Sequence, residues 1–113
     1  MPRVFVPQIP SRFDTKTNTW MPTVSIDAAK EFGEVKVMLP PEAGRLDTDT
    51  MVKLLKDAMA DYGPNDYVLA LGNPVLIAIA AVLADRASSP MRMLQWDKIT
   101  RNYQVMDVEL DDE

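Results

Sequence analysis

The stretch Asp66–Ala84, DYVLALGNPVLIAIAAVLA, decides the fold. Tyr67 to Leu71 is a near-continuous apolar run, the pattern of a strand covered on both faces. Asn73 is a good helix N-cap. Pro74 suits the first helical position, where its missing N–H would be unpaired anyway. From Val75 to Ala84 the helix is apolar on every side, so it should pack on a sheet and also need cover on its outer face. Strand, turn and helix together make one crossover of a parallel sheet.

Upstream, Met51, Leu54, Leu55, Ala58, Met59 and Tyr62 fall on one helical stripe, with Lys53, Lys56, Asp57 and Asp61 on the water side. The spacing predicts a helix over Thr48–Tyr62, capped by Asp47 or Thr48 and ended by Gly63-Pro64. Val35 to Leu39 reads as a strand. Before it, Ser25 or Asp27 can cap a short helix over Ala28 and Ala29, with Gly33 ending it in the left-handed conformation. Arg3 to Val6 is a first strand, cut off by Pro7 and Pro10. Ser11 to Asn18 is polar and turn-rich, so a hairpin or an exposed loop is expected there. Downstream, Met91–Trp96 and Tyr103–Leu110 read as strands joined by a hairpin connection over Asp97–Asn102.

The fold class is therefore α/β. One small domain over residues 1–110 carries about five strands in a mixed sheet, mainly parallel with a C-terminal antiparallel hairpin. Two main helices and one short helix complete it. Helices on both faces are the favoured arrangement, and helices on one face the alternative. Residues 111–113 (Asp-Asp-Glu) form an acidic tail.

With 113 residues the chain is long enough for one core. It contains neither cysteine nor histidine, which excludes disulfides, thiolate nucleophiles and imidazole bases. Seventeen acidic against twelve basic residues give a net charge of −5. That balance disfavours nonspecific attachment to nucleic-acid phosphates or anionic membranes. The longest apolar run is too short to span a bilayer, and the N-terminus lacks the features of a signal peptide. A cytoplasmic protein is expected, with no cofactor or metal.

Two sets of residues are candidates for a site. The first is the Gly72-Asn73-Pro74 turn, with Asp66 assisting, because helix N-termini at the carboxyl ends of strands hold anions. The turn has one glycine and no following lysine, so it is neither a dinucleotide fingerprint nor a phosphate loop. Plain helix capping by Asn73 is the simpler reading. The second set is Arg12, Phe13, Lys16, Trp20 and Met21, an aromatic and basic patch suited to a protein partner. The alternative there is that Trp20 covers a sheet face. The carboxylates are scattered. Asp57 and Asp61 read as a solvated face, and Asp97 as a residue that shapes a hairpin.

The segments VFVPQIPSRFD, WMPTVSIDAAKEFGE, DYVLALGNP and MLQWDKITRNYQVMDVEL resemble, in layout over most of the chain, short uncharacterised proteins encoded by tailed bacteriophages. The resemblance transfers no site residue and implies expression in an infected bacterium. The leading expectation is a non-enzymatic interaction protein that binds a host or phage protein, or self-associates through Val75–Ala84. A nucleotide or phosphate-metabolite binder using Gly72 and Asn73 is the alternative. An acidic DNA mimic is third.

Overall fold

Alternation in Arg3–Gln8 (β1) sends Val4 and Val6 to one side of the sheet and Phe5 to the other, all three fully buried. A computed structural model describes residues 2–110; the acidic tail expected at 111–113 lies outside them. β1 is followed by a hairpin, Ser11–Asp14 (β2) and Thr19–Pro22 (β3), and a 3₁₀ helix, Asp27–Glu31. Then come Glu34–Leu39 (β4), a second 3₁₀ helix at Pro41–Arg45, Thr48–Ala58 (α1), Tyr67–Leu69 (β5) and Pro74–Ala87 (α2). Met91–Asp97 (β6) and Asn102–Val108 (β7) close the chain.

The five-stranded sheet has the order β4-β1-β5-β6-β7, parallel except for β7, which runs antiparallel to β6. This is the expected α/β domain with a mixed sheet, two main helices and a short one. The connection from β1 steps one way to β4, and the connections through α1 and α2 step the other way. Right-handed crossovers that reverse direction must lie on opposite faces. Both α-helices accordingly share the face of Phe5, Val68 and Met91. The opposite face, Val4, Val6, Leu69, Leu94 and Tyr103, is covered by the segment carrying Ala29 and Phe32. The favoured arrangement with helices on both faces is thus met on the second face only by a 3₁₀ helix. The β1–β4 connection spends about half of its length on the hairpin.

α2 starts where the sequence places it. The Asn73 side chain accepts from the Val75 N–H at 2.8 Å, and Pro74 is the first helical residue. Leu76, Ala80 and Ala84 recur every four residues and are fully buried. The outer residues Val75, Ala78 and Val82 remain exposed.

α1 is shorter than its apolar stripe predicts. Met59 is its C-cap, and Tyr62 lies beyond the helix with its N–H on the Met59 carbonyl at 3.0 Å. Gly63 is not a left-handed cap; its N–H donates to Asp66 Oδ2 at 2.9 Å. Asp57 and Asp61 are both exposed, as a solvated face requires, and each meets a different cation. Asp57 meets Lys53 at 3.2 Å and Asp61 meets Arg3 at 2.6 Å.

Tyr62 stands edge-on to Phe5, with centroids 5.3 Å apart, and its hydroxyl donates to the Asp66 carbonyl at 3.1 Å. Burial, with a smaller contribution from the nearby Asp66 carboxylate, pushes the Tyr62 hydroxyl up to about 12. A tyrosine is near 10 in the unfolded chain, so the folded state holds the proton more tightly. The resulting stability is fully present below pH 10 and is lost as the pH rises toward about 12, by roughly 2–3 kcal/mol. Urea titrations between pH 8 and 12 are expected to show this loss, and Tyr62→Phe is expected to flatten it while costing about 1 kcal/mol at neutral pH.

Candidate functional site

The order β4-β1-β5 makes the boundary between β1 and β5 the point where chain direction reverses. In open α/β sheets the crevice at the carboxyl ends of two such strands is where ligands bind. Here Gln8, the last residue of β1, fills it. Its Oε1 accepts from the Asn73 N–H at 3.0 Å, and its Nε2 donates to the carbonyls of Pro41 at 2.9 Å and Pro40 at 3.2 Å. One buried carboxamide therefore ties β1 to the start of α2 and to the end of β4. Gly72 passes so close that a Cβ there would lie 2.7 Å from the Gln8 carbonyl oxygen, and its φ is 116°.

This geometry takes up two of the amides at the Gly72-Asn73-Pro74 turn and the start of α2. The Asn73 N–H goes to Gln8, Pro74 has none, and the Val75 N–H goes to the Asn73 side chain. Asp66 is not brought to the turn. It precedes β5, at the opposite end of the strand from Gly72. There its carboxylate accepts from the Arg3 N–H at 2.9 Å, from Arg3 Nη2 at 3.0 Å and from Gly63. Proximity in sequence joined Asp66 to Gly72 and Asn73; the intervening strand separates them.

The carboxyl edge is instead apolar. Leu71, just before the turn, lines a groove of about 390 Å³ with Val24, Ser25, Trp96 and Tyr103. Trp96 and Tyr103 pair directly across β6 and β7, edge-to-face with centroids 5.1 Å apart. The β6–β7 turn beyond them is shaped by Asp97, which accepts from the Ile99 N–H at 3.0 Å and the Thr100 hydroxyl at 3.2 Å. Arg101 closes it at φ 58°. At its tip Ile99 is 90% exposed.

The β2–β3 hairpin leaves the same edge, from the carboxyl end of β1, and packs chiefly on itself. Asp14 accepts from the Lys16 N–H at 2.9 Å and Asn18 turns at φ 56°. Polar turn chemistry of this kind at both ends of a four-residue loop is what Ser11–Asn18 carries in the sequence. Phe13 pairs across Trp20, so both rings share one hairpin face, edge-to-face at 5.5 Å. Arg12 pairs across Met21 on the other. Phe13 is 45%, Trp20 36% and Met21 45% exposed, and Arg12 and Lys16 are exposed beside them. All five residues of the patch therefore gather on one hairpin. Trp20 packs against Phe13 on the hairpin and is not among the residues that cover the sheet. A radius of gyration of 14.3 Å, against about 13 Å for a compact chain of this length, fits a projecting arm.

The sequence did not single out Gln8, Val24, Trp96 or Ile99. Val24, just past the hairpin, shares the groove with Trp96 because β1 and β6 end at the same edge. The opposite edge is polar, with Arg3 held between Asp61 and Asp66. Among the described residues no three metal-ligating side chains converge, and no helix is long and apolar enough to cross a membrane.

No curated protein and no solved structure matches the chain. Residues 2–110 match the family model described as Phage Pam3 gp32-like protein. The expectation of a phage protein, drawn from the layout of the same segments, is met at the level of the family: the chain belongs to the Phage Pam3 gp32-like proteins.

Proposed function

We propose that the chain is a non-enzymatic interaction protein of the infected bacterium's cytoplasm, which binds a host or phage protein through the carboxyl edge of its sheet. The observation that carries this reading is the Phe13–Trp20 pair, held edge-to-face on a hairpin with both rings open to solvent. Aromatic side chains with few rotatable bonds, next to arginine and methionine, are the composition of interface anchors. Arg12 on the second hairpin face and Lys16 in the turn add charge for steering and register. The groove of Leu71, Trp96 and Tyr103 extends the apolar area to the base of the arm. The turn at Gly72 and Asn73 serves as a brace beneath this surface, because the Asn73 N–H is bonded to Gln8 and the Val75 N–H to the Asn73 side chain.

The double substitution Phe13→Ala/Trp20→Ala tests the proposal. Both side chains are exposed, so the melting temperature is expected to hold within the change caused by about 1 kcal/mol. Affinity for the partner isolated on the unaltered protein is expected to fall roughly 30-fold or more, as for loss of a central aromatic anchor. Retention of full affinity by the doubly substituted protein would contradict the proposal.

A further inference from the structure

On the face of the molecule away from the hairpin's groove, α1 and α2 lie side by side and leave a furrow of about 320 Å³. Its floor is apolar, made by Val52 of α1 and by Ala78, Val82 and Leu83 of α2. Val82 is 51% exposed, the outer position that the all-round apolar pattern of α2 left without cover. Lys56 and Arg86 rim the furrow, one from each helix, and no carboxylate lines it. Both cations are exposed and, among the described residues, neither takes part in an ion pair. In a chain of net charge −5 this is a local reversal of sign.

From this geometry we infer that the furrow takes an acidic amphipathic helix of another protein. Two parallel ridges with an apolar floor fit the apolar stripe of a third helix, which is the helix-in-groove mode of recognition. The two cations select carboxylates flanking that stripe, since opposite charges at a rim steer and register a partner while like charges exclude one. A second copy of the chain is a poor occupant on the same ground. Across a two-fold axis it would set the Lys56 and Arg86 rim against the same rim, with no carboxylate lining either furrow. The inference stands apart from the hairpin surface, with which it shares no residue.

The test uses three synthetic helical peptides of the length of α2, 14 residues, with one leucine stripe and flanks of glutamate, glutamine or lysine. Fluorescence anisotropy is expected to show the glutamate-flanked peptide binding at least about ten-fold more tightly than the other two. Val82→Asp should abolish that binding. Lys56→Glu/Arg86→Glu, at exposed positions that leave the core intact, should reverse the preference toward the lysine-flanked peptide. Equal binding of the three peptides, no binding of the glutamate-flanked one, or a preference unmoved by charge reversal would each overturn the inference. So would a dimer in sedimentation velocity that Val82→Asp dissociates, because the furrow would then belong to a second copy.

Discussion

Gly72→Ala is expected to destabilise the protein by about 3 kcal/mol or more. Two costs combine. The backbone at φ 116° is one that residues with a Cβ rarely adopt, and the added carbon would meet the Gln8 carbonyl at 2.7 Å and the Gln8 Cβ at 2.9 Å. The nearest atoms are backbone and Cβ, so no flexible side chain can swing away. Relief requires β1 and the start of α2 to part, which also strains the Gln8 bridge to Asn73, Pro40 and Pro41. Gly44→Ala is the control. A Cβ there meets only the Asn73 side-chain nitrogen at 3.0 Å, and the expected loss is within about 1 kcal/mol. Urea denaturation of both variants measures the difference. Near-equal stabilities would show that β1 and the turn are not held as tightly as described.

Asp66→Ala is expected to cost about 2–4 kcal/mol. The carboxylate is nearly fully buried and accepts from the Arg3 N–H, the Arg3 guanidinium and the Gly63 N–H, tying β1 to the end of the α1–β5 connection. Truncation leaves two backbone donors without their acceptor. Arg3 keeps its contact with the exposed Asp61, which limits the loss. Asp66→Asn retains an acceptor oxygen and is expected to recover about half. A calorimetric melt of the three proteins separates these outcomes. If asparagine were no better than alanine, the charge on Asp66 would matter more than its acceptor geometry.

The elements that depend on local pattern were legible in the sequence. The Asn73 cap, Pro74 at the first helical position and the four-residue recurrence of Leu76, Ala80 and Ala84 all lie within one or two turns of chain, so composition encodes them directly. The end of α1 was not legible. Tyr62 continues the apolar stripe but buries itself from a turn beyond the helix, beneath a contact with Asp66 that periodicity cannot register. Gln8 was invisible for a stronger reason. Its partner Asn73 is 65 residues away, and nothing near Gln8 distinguishes a bridging carboxamide from a surface one. That Arg12, Phe13, Lys16, Trp20 and Met21 lie together on one exposed hairpin was readable, since they are close in sequence. Trp96 and Ile99 lie at the same end of the sheet only through strand order, which depends on pairing between distant segments. The same knowledge separates Asp66 from the turn it was grouped with.

The proposed function places a protein partner on the apolar carboxyl edge and water on the polar one. Photo-cross-linking in infected cells tests it most directly, with benzoylphenylalanine placed at Phe13, at Trp96 or at the exposed Asn65 of the opposite edge. One discrete protein adduct is expected, the same from Phe13 and Trp96, and none from Asn65. An adduct from Asn65 with none from the other two positions would contradict it.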